Sequence, residues 1–189
     1  RRTAIAQYIF HHSLEHISKQ AEWKKLSQVN SILEVGSFEG RSSIWFAENL
    51  LNDNGVITCI DPFNISAAVI DRFNFNIELF KKHNPSKSID VIKTKSFKAL
   101  SNLITKEQKF DLIYLDGSHK TEDVFCDLLL STFLLNENGL IIIDDYHMFS
   151  EKHGIHPKQA VDTFLNLYNN KYSITINTSK QAYLKLINE

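Results

Sequence analysis

The chain has 189 residues, of which 43% are hydrophobic and 23% charged, and its 21 basic and 22 acidic side chains leave a formal net charge of −1. A chain of that length suffices for one core burying roughly 70% of the unfolded surface, while the near balance of signs gives no polybasic face for nucleic acid or an anionic bilayer. Apolar runs of a handful of residues fall well short of the roughly 20 needed to span a bilayer, so neither a nucleic-acid nor a membrane partner is expected.

The cysteines, Cys59 and Cys126, lie in a strand-like and a helix-like run without C-x-x-C spacing. Two buried thiols are therefore expected, rather than a disulfide frame or a sulfur-ligated metal. The opening residues begin with Arg1 and carry no signal-peptide pattern, so a cytoplasmic location is the expectation.

In chain order, residues 3–19 carry Ala6, Phe10, Leu14 and Ile17 at the spacing of one helical face. Residues 1–29 are thus predicted as an N-terminal helical segment that covers a pocket, packs on the core or meets a second copy, which leaves a homo-oligomer open. Short apolar or β-branched runs follow at SILEV (31–35), VITCI (56–60), IDVIK (89–93), DLIYL (111–115) and LIIID (140–144). Lacking alternation, they suit strands buried on both faces of a parallel sheet. Between them, Ile44, Ala47 and Leu51, then Val69, Phe73, Ile77 and Phe80, then Phe97, Leu100 and Ile104, then Val124, Leu128 and Phe133 fall at helical spacing. A further helix is predicted near 158–169, with Pro157 suited to its first turn, and YSITINT (172–178) and AYLKLI (182–187) read as an antiparallel hairpin. The whole is an α/β, Rossmann-like, doubly wound and mostly parallel seven-stranded sheet with an antiparallel last strand, helices on both faces, and one domain over 30–189.

Ligands of such sheets lie at the carboxyl ends of the strands, where the unusual polar residues of this chain fall. SILEV runs through GSFEG into a helix, so Gly36 permits a backbone that other residues resist and Gly40 a close approach of ligand to the helix start. The spacing is E-x-G-x-x-x-G from Glu34, not the G-x-G-x-x-G of dinucleotide binders. Asp61 ends the second strand 25 residues beyond Gly36, about where an acidic residue accepts hydrogen bonds from a ribose diol.

Asp116 follows strand four, and Asp144 and Asp145 end strand five. If those strands are neighbours the three carboxylates converge, and either one takes a proton or a cation holds them; all-oxygen ligation favours magnesium, manganese or calcium. His119, three residues beyond Asp116, is a candidate proton acceptor at neutral pH. His147, His153 and His156 read as loop residues, and His11, His12 and His16 as a helix face.

ILEVGSFEGRSS, CIDPF, KSFKAL, FDLIYLDGSHKTEDVFCDL and LLNENGLIIIDDY together resemble the class I S-adenosylmethionine-dependent methyltransferases, nearest to a branch with D-G-S/D-H after strand four and D-D-Y after strand five. The resemblance implies that Glu34, Gly36, Ser37, Phe38 and Gly40 surround the methionine part of the cofactor. It places Asp61 and Pro62 at the ribose, Ser96 and Phe97 at the adenine, and Asp116 and His119 beside the cofactor. From metal-dependent relatives that methylate sugar hydroxyls it implies magnesium on Asp116, Asp144 and Asp145, with His119 as base and Asp116 also in the catalytic group. O-methylation of a small hydroxylated acceptor, a sugar or natural product, is the function expected. A metal-independent methyltransferase and a non-catalytic cofactor-binding or assembly domain are the alternatives, and a nicotinamide-binding protein is opposed by the missing fingerprint.

Overall fold

In the computed structural model, the described residues are 29–168, 170–176 and 181–187. The predicted N-terminal helix, with its three histidines, and most of the link in the final hairpin lie outside them. Strands β1 (Val29–Val35), β2 (Leu51–Ile60), β3 (Ser88–Ile92), β4 (Phe110–Leu115) and β5 (Leu135–Ile143) alternate with helices α1 (Arg41–Asn49), α2 (Ala67–His83), α3 (Ser96–Thr105) and α4 (Thr121–Leu134). A single 3-10 turn (Glu151–His153) leads to α5 (Pro157–Leu167), and β6 (Tyr172–Ile176) and β7 (Ala182–Leu186) close the order. The sheet runs β3-β2-β1-β4-β5-β7-β6. β1 to β5 are mutually parallel, and β7 pairs antiparallel with both β5 and β6. The order reverses between β1 and β4, so the crevice of a doubly wound sheet opens above those two strands.

The lack of alternation in the strands has the expected cause, since both faces are covered. On one face Phe46 and Ala47 of α1 and Val69, Phe73, Ile77 and Phe80 of α2 pack on Ile32, Ile57 and Cys59. On the other, Leu100 of α3, Val124 and Leu128 of α4 and Val161 and Phe164 of α5 pack on Leu33, Ile113 and Ile141. Among the described residues no helix is long and apolar enough to cross a membrane.

Two strands begin earlier than their apolar runs. LNDNG (51–55) and LNENG (135–139) open β2 and β5: Leu51 pairs with Val29 before the ladder resumes at Ser31 with Val56, and Leu135 pairs with Phe110 before it resumes at Leu112 with Leu140. The polar residues between form an excursion from the ladder, with Asn54 left-handed at φ 65°. Leu51, expected on the face of α1, is instead the first residue of β2. Phe133, expected on the buried stripe of α4, is 55% exposed because the neighbouring Leu134 takes the core position.

Candidate active site

The bend after β1 is built on Gly36 at φ 90° and Gly40 at φ 80°. A side chain at Gly36 would place its Cβ 2.1 Å from the carbonyl oxygen of Asp116, and one at Gly40 would meet the Phe73 ring at 3.0 Å. The bend therefore touches the end of β4 directly, and the Gly36 amide donates to the Ile60 carbonyl of β2 at 2.8 Å. Beneath it Glu34 is fully buried and accepts a hydrogen bond from the Ser43 hydroxyl of α1. Burial raises the Glu34 pKa, opposed by the nearby Ser42, Ser43 and Ser37 hydroxyls and the Cys59 thiol. Glu34 Oε1 and Ser37 Oγ are buried with no hydrogen-bond partner.

Asp61 clasps two loops. Its Oδ2 accepts from the Phe38 amide at 2.9 Å and its Oδ1 from the Phe63 amide at 2.6 Å. Both phenylalanines are left-handed at φ 47°, a conformation bulky residues rarely adopt and one that clusters at ligand sites. Each carboxylate oxygen keeps a lone pair beyond the amide it accepts. Pro62, between them, is half-buried.

At the ends of β4 and β5 the donor atoms of Asp116, His119 and Asp145 lie within 4.8 Å of one another, and His119 Nε2 is 3.8 Å from Asp145 Oδ2. Burial holds the Asp116 pKa well above the usual carboxylate range, and the charges of Asp144, Asp145 and Glu34 push it further. Asp144, expected beside these residues as a ligand, is outside the group. Its Oδ2 accepts the Tyr114 hydroxyl and its Oδ1 the Asp145 amide at 2.8 Å. Asp145 is left-handed at φ 49°, which breaks strand alternation, and His119 completes the group instead.

Gly117 packs on Val35, where a Cβ would stand 3.1 Å from Cγ1. The loop after DDY leans on the one after β4: Lys120 and Ser150 bridge Ile155, and the Thr121 amide donates to the Gly154 carbonyl at 3.0 Å. In it Phe149 is exposed and stands edge-on to His156 at 5.0 Å, and His147 edge-on to Tyr146 at 4.8 Å. His153 is exposed in the 3-10 turn. Ser96, the first residue of α3, hydrogen bonds to the buried Asp127 of α4, and the Phe97 ring beside it is exposed. Tyr114 and Tyr146 play parts the sequence did not mark. Tyr114 reads as one more apolar strand residue, and the Tyr146 hydroxyl donates to Asp162 of α5 at 3.0 Å.

A seven-stranded sheet with one reversed strand, a glycine bend after β1 and acidic groups after β4 and β5 defines a class I, Rossmann-like methyltransferase. A family model described as a methyltransferase domain matches residues 33–146, and the chain belongs to that family. It is 28% identical over 116 residues, 60% of its length, to the O-methyltransferase ankF of Aspergillus thermomutatus, and the match spans only 44% of that protein. The crystal structure of an O-methyltransferase from Bacillus cereus in complex with SAH superposes with a TM-score of 0.61 at 19% identity, over 85% of this chain and 74% of that one. A Clostridium thermocellum protein assigned provisionally as an rRNA methylase superposes at 0.67 with 16% identity, over 93% and 98% of the two chains. At these identities the structural likeness is one of fold.

Proposed function

We propose that the domain transfers the methyl group of S-adenosylmethionine to a hydroxyl of a small acceptor, a sugar or natural product, with a divalent ion held by Asp116 and Asp145 and with His119 as base. The observation that carries this reading is the contact between Gly36 and Asp116, which sets the glycine bend and the acidic group side by side. The O-methyltransferase relative and the SAH-bound neighbour support it.

The residues fit the cofactor. Gly36 and Gly40 turn the chain so that Phe38 flanks the bend, and Glu34 and Ser37 stand buried beneath it as the polar groups of the methionine end. Asp61, with Pro62, offers its free lone pairs to the ribose, and Ser96 and Phe97 border the adenine. The donor set also fits a hard or borderline cation, because Asp116, whose proton affinity burial and neighbouring charges raise, gains from a positive charge. Such an ion supplies charge stabilisation to the oxygen that loses its proton. His119, with Nε2 3.8 Å from Asp145 Oδ2, is the candidate to take that proton. With the reacting atoms in line, the domain's remaining task is alignment.

The same His119–Asp145 pair favours a second reading, proton transfer without any ion. Near-neutral charge supports a small acceptor over RNA. Calorimetric titration with S-adenosylhomocysteine, with and without magnesium or manganese, tests cofactor and ion together. Methyl transfer from labelled S-adenosylmethionine to phenolic and sugar hydroxyls tests the reaction. His119→Ala is expected to keep cofactor affinity and lose about 10²-fold or more in rate. Turnover that survives thorough chelation selects the second reading, and cofactor binding without any transfer selects a non-catalytic domain.

A further inference from the structure

Asp116 and Asp145 meet where the chain at Asp145 leaves the strand in a left-handed turn. We propose that Tyr114 is the positioning residue for this turn: its hydroxyl holds Asp144 inward, and Asp144 in turn fixes Asp145 opposite Asp116 and His119. The proposal rests on the ion-holding reading of the site.

Tyr114 is a rigid anchor. It is buried, packs edge-on to Phe46 of α1 at 4.9 Å, and pairs in register with Ile142 of β5. Strand alternation brings Asp144, two residues past Ile142, to the same face, where its Oδ2 accepts the tyrosine hydroxyl. The β5 ladder continues through the Asp144 amide to the Leu115 carbonyl at 3.0 Å. Asp144 Oδ1 then takes the Asp145 amide at 2.8 Å, and the Met148 amide closes the turn on the Asp145 carbonyl at 2.7 Å. Each Asp144 oxygen thus accepts one donor that holds the turn. Partners that orient ligands from behind tune affinity in this way.

If Asp144 were itself a ligand, Asp144→Asn would weaken ion binding well beyond the loss in Tyr114→Phe. Positioning predicts equal losses in the two variants. Tyr114→Phe is expected to weaken Mn²⁺ binding about 10-fold, read from the resonance of free Mn²⁺. It should also speed amide hydrogen exchange in residues 144–148 while leaving β1 unchanged. Asp144→Asn, which keeps a single carbonyl for two donors, should fall with it. Unchanged or tighter Mn²⁺ binding, or exchange that rises evenly across the sheet, overturns the proposal. Wild-type protein that binds no Mn²⁺ overturns the ion-holding reading instead, and the local exchange difference then decides alone whether Tyr114 fixes the turn.

Discussion

A Cβ on Gly36 would stand 2.1 Å from the carbonyl oxygen of Asp116, so the bend after β1 and the acidic end of β4 are one mechanical unit. Gly36→Ala must relieve both that overlap and a φ of 90°. Strain of these two kinds is expected to cost about 3 kcal/mol or more and to abolish binding of S-adenosylhomocysteine. Urea denaturation and calorimetry check it. A variant with wild-type stability and affinity would mean that the bend relaxes away from β4 at no cost.

Asp116 links stability to pH. Its pKa is raised by burial and by the neighbouring Asp144, Asp145 and Glu34 charges, so the folded chain holds the proton more tightly than the unfolded one. That stability is full below pH 4 and is lost as pH climbs through the folded value. Asp116→Asn in metal-free buffer is therefore expected to melt above wild type at pH 8, with the gap closing towards pH 4. Added Mn²⁺ should raise the wild-type midpoint and leave the variant where it was. A variant less stable than wild type at pH 8 would show that burial and like-charge repulsion of Asp116 do not govern this corner.

Asp127 shows the same effect behind Ser96. Burial lifts its pKa to about 6, the Ser96 hydroxyl opposes that, and Asp123 adds to it. The rise corresponds to about 2–3 kcal/mol, present below pH 4 and lost as pH passes 6. Asp127→Asn still accepts from Ser96, so it is expected to gain about that much at pH 8 and nothing at pH 4. Denaturation at the two pH values measures the difference directly.

How much of this was legible depends on whether a residue type had to be what it is. Gly36 and Gly40 mark a backbone that a side chain forbids, and DGSH and DDY put carboxylates where a buried strand ends, so the bend and the acidic corner could be located from sequence. The division of labour inside DDY could not. Asp144 and Asp145 are chemically identical, and a left-handed turn at Asp145 leaves no trace in composition because aspartate tolerates it. His119 reads from sequence as a base, and only the folded geometry puts its nitrogen within reach of both carboxylates. The apolar runs do not show that LNDNG and LNENG open β2 and β5, since each is a strand start interrupted by an excursion, a pairing fixed by partners some 20 residues away. Ser96 and Asp127 sit on two helices with nothing in sequence to join them.

Asp111 tests whether stability and site can be separated. It begins β4 at the end opposite the bend, where Oδ2 accepts from the Asn30 and Ser31 amides at 2.8 and 3.0 Å and from the Ser31 hydroxyl at 3.1 Å, and Oδ1 from the Asn136 amide group at 2.7 Å. Burial alone would raise its pKa, but the bonds from Asn136, Asn30 and Ser31 outweigh that and lower it. A lowered carboxylate stabilises the fold above pH 4, and the stability is lost as pH falls through the folded value. Asp111→Ala strands donors from β1 and β5 at once, at an expected cost of about 2–3 kcal/mol at pH 7, reduced from the sum of the bonds because the group is partly exposed. Affinity for S-adenosylhomocysteine should be unchanged below the melting range, since no atom of Asp111 approaches the bend. If affinity falls in step with stability, the base of β1 is coupled to Gly36 along the strand, and the two ends of the sheet do not act independently.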